Sequence, residues 1–290
     1  MEQRIIDLYD SFTHGYLDRR NFLDRLAGLV GSAAAAAALL PLLQNDYAKA
    51  ETVPANDPRL VSDTVSYDSP AGKISGYLVR PKEKGKRPAI LVIHENRGLN
   101  PHIKDVARRL ATEGYLALAV DLLSPLGGTP DDEEKGAALF AKLNRADPSA
   151  NVAGVSFLKT HPESSGKVGA IGFCAGGEMV NLLATASPEL DAVVAYYGRA
   201  PAADNVPNIK APLLENYAEN DPGVNSTAPG FKEALEKNNK KFTMYTYPGT
   251  QHAFNNDTNS VRYNKEQAAI AWDRTLAFFK EHLGAPPKAS

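Results

Sequence analysis

From about residue 60 onward, short apolar runs alternate with longer amphipathic stretches, and turn residues punctuate the changes. Residues 60–67 and 74–80 read as antiparallel strands joined through Ser69-Pro70-Ala71-Gly72. Beyond them the apolar runs at 89–93, 116–120, 168–171, 191–197 and 211–217 are nearly continuous, which is the signature of strands buried on both faces. Helical patterns separate them: 101–113, opened by the Asn100-Pro101 cap, then 131–145 and 149–160. Residues 242–247 alternate as a strand does, and 265–282 form a long amphipathic closing helix. The pattern predicts an α/β domain over residues 51–290, with a mainly parallel central sheet and helices on both faces. No internal repeat interrupts it.

Residues 1–50 are patterned differently. Ile5, Ile6, Leu8, Tyr9 and Phe12 suit one face of an amphipathic helix. Asp18-Arg19-Arg20-Asn21-Phe22-Leu23 carries the paired arginines of a twin-arginine leader, an uncharged alanine-rich stretch covers 26–43, and Ala48-Lys49-Ala50 offers a small-residue cleavage site. Against a leader, residues 1–20 hold four acids and three arginines, where an export signal is normally positive. Two expectations follow: an exported, periplasmic protein that loses its leader, or a cytoplasmic protein that keeps a helical extension. The 18 residues of the alanine-rich stretch, with Gly28, Gly31 and Pro41, are too short and too weakly apolar for a permanent membrane span.

Composition narrows the classes. The chain has 290 residues, 43% hydrophobic, with a formal net charge of −2, so nothing in its charge favours nucleic acid or an anionic membrane. Its one cysteine excludes an internal disulfide. The closing helix and the N-terminal segment each offer a face for a homodimer, and no feature of the sequence specifies one.

That cysteine is the centre of the chemistry. Gly172-Phe173-Cys174-Ala175-Gly176 follows the apolar run 168–171 directly, as strand, sharp turn and helix do when a nucleophile is lifted into a cleft. The bland reading is an inert core thiol. Partners in the expected chain order argue against it. Asp221 follows the strand at 211–217, and His252 lies in the loop after 242–247, so His252 would act as base with Asp221 orienting its ring. The loop His94-Glu95-Asn96-Arg97-Gly98 follows the strand that supplies the second oxyanion donor in such arrangements; the amides of Asn96 and Ala175 are the candidate donors. Arg97, Tyr197, Arg199 and Phe254 are candidate substrate contacts. His94 and His102 are eight apart and separated by Gly98 and Pro101, so they lack the helical zinc spacing, and no metal or other cofactor is expected. A thiolate is also a good leaving group, so its adducts go forward only when the other leaving group is an enolate, phenolate or thiolate. The chemistry therefore favours activated esters, enol lactones and thioesters. The alternatives are a redox-responsive binding protein, which would normally carry a resolving cysteine, and a catalytically silent protein of the same fold.

Together, His94-Glu95-Asn96-Arg97-Gly98, Gly172-Phe173-Cys174-Ala175-Gly176-Gly177, Asp221 and His252-Ala253-Phe254 resemble the dienelactone hydrolase (carboxymethylenebutenolidase) family over about residues 60–284. The resemblance implies a single-domain α/β-hydrolase that opens enol lactones or related activated esters without a cofactor. It also implies that Glu95 contacts the resting Cys174, is displaced when substrate arrives and helps to generate the thiolate. Among the arginines that would hold a substrate carboxylate, Arg97, Arg199 and Arg262 are the candidates, and none is placed by the motifs.

Overall fold

The computed structural model describes residues 1–13, 15–47 and 51–290, so the Ala48-Lys49-Ala50 motif lies outside the described residues. Eight strands form one sheet: β1 (Leu60–Ser69), β2 (Gly72–Pro81), β3 (Arg87–Ile93), β4 (Leu116–Asp121), β5 (Ser164–Phe173), β6 (Ala192–Tyr196), β7 (Leu213–Asn220) and β8 (Phe242–Gln251). Their spatial order is β1-β2-β4-β3-β5-β6-β7-β8. The β1–β2 hairpin and the β2–β4 pair are antiparallel, and every pair from β4 to β8 is parallel. Ten α-helices accompany the strands among the described residues: α1 (Gln3–Thr13), α2 (Arg19–Val30), α3 (Ala33–Leu43), α4 (Pro101–Thr112), α5 (Glu133–Phe140), α6 (Ser149–Thr160), α7 (Ala175–Ala186), α8 (Pro222–Asn225), α9 (Ala228–Lys237) and α10 (Lys265–Leu283).

The continuous apolar runs have the cause expected of them. In β3, Ala89, Leu91 and Ile93 enter one core with Leu116, Leu118 and Val120 of β4. Their neighbours Ile90 and Val92 enter the opposite core with Ala117 and Ala119. Both sheet faces are covered, so in β3 and the facing part of β4 both parities of position are apolar. The helix cap at Asn100 also forms, its side chain accepting the Ile103 amide at 3.0 Å.

Two strands run further than the hydrophobic pattern. β7 continues to Asn220, with an irregularity between Ala218 and Asn220, and β8 continues through Pro248 to Gln251. An edge strand has an open side, so Pro248 does not have to supply a ladder donor. In consequence Asp221 and His252 each stand immediately after a strand, as N-cap and first loop residue. The helix expected over 131–145 is confined to α5, which Asp132 caps through the amides of Glu134 and Lys135.

The alanine-rich stretch is two helices and not one. Gly31, at φ 89°, ends α2, and the Ser32 hydroxyl caps α3, so the two are bent by 110°. No single helix among the described residues is long and apolar enough to cross a membrane; the bent α2–α3 pair meets that test only jointly. Ile5, Leu8 and Tyr9 of α1 pack with Phe22, Leu26 and Leu43 into a small separate core. This unit is tied to the main domain: the Asp46 amide donates to Thr258 O at 2.8 Å, and Asn259 Nδ2 donates to Leu43 O at 2.8 Å.

One buried acid makes the fold pH-sensitive. Glu215 of β7 is enclosed in the sheet, its Oε2 accepting from Asn181 Nδ2 at 3.2 Å, and burial pushes its pKa up from 4.5 to about 8. The folded chain thus retains a proton that the unfolded chain releases, and stability falls as pH rises from about 4.5 to about 8. Glu215→Gln removes that linkage. Its stability relative to wild type should rise across this window, by on the order of 3 kcal/mol between pH 5 and pH 8 in urea melts. A difference that does not change with pH would contradict the assignment.

Candidate active site

β5 and α7 are separated by one residue, Cys174, held at φ 54° and ψ −117°. Few side chains adopt this backbone, and the turn is enforced by close packing on both sides. A Cβ on Gly172 would stand 1.9 Å from Gly176 O, and one on Gly176 would stand 2.4 Å from Ile93 O. The Cys174 amide donates to Tyr196 O at 3.0 Å, which pins the turn to the end of β6. The sulfur opens onto a cavity of about 380 Å³ that Asn96, Ala175, Tyr197 and His252 also line.

Asp221 caps α8, its Oδ1 accepting the Val224 amide at 3.3 Å, while Oδ2 lies 2.5 Å from His252 Nδ1. With Nδ1 donating to the carboxylate, His252 presents Nε2 as its second nitrogen. The ring is buried, and burial alone would disfavour its charge. The charges on Cys174 and Asp221, with the hydrogen bonds to both, more than offset that effect and hold the His252 pKa well above the ordinary imidazole range. Cys174, His252 and Asp221 are therefore one coupled set.

Tyr197 stands against the imidazole, with 5.0 Å between ring centroids, and lines the cavity in a backbone conformation of φ 39°. Phe254 corrects the sequence expectation. It is fully buried among Tyr196, Tyr197 and Tyr247, so it supports the His252 loop from behind and is no wall for substrate.

Glu95 lies beside Cys174 and Arg262, and its carboxylate forms no salt bridge among the described residues. Its Oε2 accepts from Asn256 Nδ2 at 3.0 Å, and its Oε1 is buried without a hydrogen-bond partner among the described residues. A cavity of about 20 Å³, enough for one water, lies between Glu95, Cys174, His252 and Arg262. His94 fixes this loop. Its Nε2 accepts the Leu122 amide at 3.2 Å, so Nδ1–H donates to Glu95 O at 2.5 Å, and burial lowers its pKa and keeps it neutral.

The three arginines have separate positions. Arg97 pairs with Glu133 at 3.4 Å, and Arg262 is buried against Asp10 at 2.7 Å. Arg199 is exposed at the cavity mouth and donates to the Tyr16 hydroxyl at 2.8 Å. Phe12, Thr13, Tyr16 and Asn256 are functional neighbours that no motif marked; only the apolar periodicity of α1 hinted that Phe12 would be packed.

The dienelactone hydrolase family model matches residues 74–283. The chain belongs to the dienelactone hydrolase family. Like other members, this hydrolase acts on esters or lactones. It is similar to a protein of Saccharolobus solfataricus named "Putative carboxymethylenebutenolidase", at 32% identity over 253 residues, 74% of this chain and 97% of that one. Among solved structures, the dienelactone hydrolase-like promiscuous phosphotriesterase P91 from metagenomic libraries aligns with TM-score 0.70 and 26% identity, covering 78% of this chain and 100% of that one. The dienelactone hydrolase of Anabaena variabilis aligns with TM-score 0.60 and 26% identity, covering 78% and 99%. A second family model, YqhI-like, matches residues 1–32 of this hydrolase.

The glycines of the turn give a stability contrast. Gly176→Ala forces a Cβ onto backbone and should cost about 3 kcal/mol or prevent folding. Gly230→Ala in α9, where nothing lies within 4 Å of the added Cβ, should instead add about 0.5–1 kcal/mol. Thermal melts of the two variants distinguish enforced from incidental glycine.

Proposed function

We propose that this chain hydrolyses activated esters and enol lactones through a Cys174-His252-Asp221 triad and an acyl-enzyme. The observation that carries the reading is the joint placement of Cys174 on the enforced turn and of His252, raised in pKa by that cysteine and by Asp221, in one cavity. The Cys174 thiolate adds to the carbonyl carbon, and the resulting oxyanion is taken up by the amides of Ala175, in the first turn of α7, and of Asn96. The carbon–oxygen bond to the enolate then breaks, and the imidazolium of His252 gives its proton to that oxygen. In the second half His252 takes a proton from water as the water oxygen bonds to the acyl carbon. The carbon–sulfur bond breaks, and the thiolate returns. Asp221 holds the ring in the required tautomer throughout.

Glu95 fits a role in the resting enzyme. Its unpartnered Oε1 and the single-water gap to Cys174 support an acid that exchanges with the thiol and moves aside for substrate. Arg97 and Arg262 are both committed to carboxylates of the chain, which leaves Arg199 at the mouth to meet an anionic substrate.

In reducing buffer, cis- or trans-dienelactone, p-nitrophenyl acetate or butyrate should be turned over by the wild type. Cys174→Ala and His252→Ala should each lower kcat by at least about a thousandfold. Turnover unaffected by either substitution would end the proposal. Alkylation of Cys174 by iodoacetamide should stay fast well below pH 8.5, the midpoint of about 8.5 for a free thiol. Asp221→Asn removes a charge that keeps His252 protonated, so the midpoint should move upward in that variant. Glu95→Gln should slow acylation while leaving the melting transition in place; unchanged alkylation and turnover would exclude the Glu95 role.

A further inference from the structure

Residues that no hydrolase motif includes form one side of the reaction cavity. Phe12, Thr13 and Tyr16, at the end of α1 and in the turn after it, line the same space as Cys174 and His252. They are held there from several directions. Asp10 pairs with the buried guanidinium of Arg262 at 2.7 Å. The Asn96 side-chain amide donates to Thr13 O, so the proposed oxyanion loop and α1 are joined directly. Arg199 reaches the Tyr16 hydroxyl at 2.8 Å, and Arg19 pairs with Glu134 of α5. Gln3 and Gln251 exchange amide hydrogen bonds at 2.9 and 2.8 Å, beside His252. Phe12 is itself fixed by stacking on Phe22, with 4.5 Å between centroids and 15° between planes. The N-terminal unit thus has its own core, and its contacts fall on the loops that carry the reacting groups.

A chain cut between residues 48 and 50 would lose that side of the cavity. It would also leave Arg262, buried beside Glu95 and Cys174, without its carboxylate. Arg262 would be left facing Glu95 and opened to water, and the wider mouth would admit longer acyl groups. Phe12 and Tyr16 line a space of about 380 Å³ together with Ala137 and Phe140. That space accommodates a small ring or a short acyl ester, and its Phe12 and Tyr16 wall is what a longer alkyl chain would have to pass.

We propose that residues 1–47 are a retained roof of the active site, and that Phe12 and Tyr16 set its specificity for short-chain or small-ring esters. The proposal rests on Cys174 being the nucleophile of that cavity. The roof places substrate and excludes long chains, while the bond-making groups stay on the main domain.

The test uses the full chain and compares p-nitrophenyl butyrate with p-nitrophenyl laurate. Wild type should prefer butyrate, and Phe12→Ala should raise the laurate-to-butyrate ratio of kcat/KM at least tenfold. Phe12→Leu, which keeps packing on Phe22, should raise it by a smaller factor and covers the case in which the alanine variant does not fold. A ratio unchanged in both variants overturns the specificity role. A second readout needs only the thiol and no turnover: the rate of Cys174 labelling by fluorescein maleimide relative to iodoacetamide. Asp10→Lys, which places two cations together and lifts α1, should raise that ratio at least tenfold; no rise overturns the roof. Absence of hydrolysis with normal labelling would instead reject the triad reading and leave the roof standing. Mass spectrometry of the mature protein from its own host should find residues 1–47 present. A chain beginning after Ala50 with the same ester preference overturns the proposal.

Discussion

The active site depends on a steric constraint before it depends on any reactive group. Gly172 and Gly176 approach so closely that neither accepts a side chain, and the residue between β5 and α7 has one conformation open to it. Strand and helix are both buried, so the turn cannot relax by moving either one. Sequence determines this locally, through two missing Cβ atoms. Packing determines it globally, because the Gly176 position rests on the end of β3 and the Cys174 amide on the end of β6. The loops that bring Asn96, Tyr197, Asp221 and His252 all leave the sheet at the carboxyl ends of strands adjoining β5 or following it in order. The cavity is where these ends meet.

Charge around that cavity is arranged in closed sets. His252 lies between Cys174 and Asp221, Arg97 pairs with Glu133, and Arg262 pairs with Asp10. Removing water from such a site strengthens each interaction and makes any unmatched group costly. Arg199 at the mouth stands outside these sets, and among the buried groups Glu95 does, with one oxygen hydrogen-bonded and the other without a partner among the described residues. The water-sized cavity beside it is where that oxygen can be satisfied. The neutral His94 beneath it fixes the backbone of Glu95 and leaves its side chain as the part free to change.

Much of this was legible in the chain itself. The apolar runs located the core strands, because burial on both faces leaves few polar positions, Glu215 and Asn216 of β7 being paired exceptions. The order Cys174, Asp221, His252 identified the triad candidates, because turn chemistry and strand ends are local signals. The ends of β7 and β8 were not legible: hydrogen bonding carries them past the last apolar residue, and Pro248 is tolerated only because β8 lies at an edge. Phe254 was misread for a related reason, since an aromatic residue next to a reactive histidine can face either way and only the cluster of Tyr196, Tyr197 and Tyr247 decides. The pairing of Asp10 with Arg262 and of Asn256 with Glu95 had no signal at all, because each joins residues far apart in the chain through side chains of common type. Residues 1–47 carry the letters of an export leader and the packing of a small helical unit, and composition alone does not separate the two.

The span of one ion pair has a consequence for how the protein is made. Asp10 and Arg262 are separated by 252 positions, so the first helix to leave the ribosome waits for nearly the last segment before this ion pair can form. At about 5–20 residues per second, that wait is on the order of 10–50 s. During this interval Ile5, Leu8 and Tyr9 are shielded only by the helices that follow them, Phe22, Leu26 and Leu43 being available early. The small separate core thus acts as a holding arrangement during synthesis. Full docking then follows completion of the chain, because a truncated product lacking Arg262 has the contacts to Asn96, Arg199 and Glu134 but not this buried ion pair.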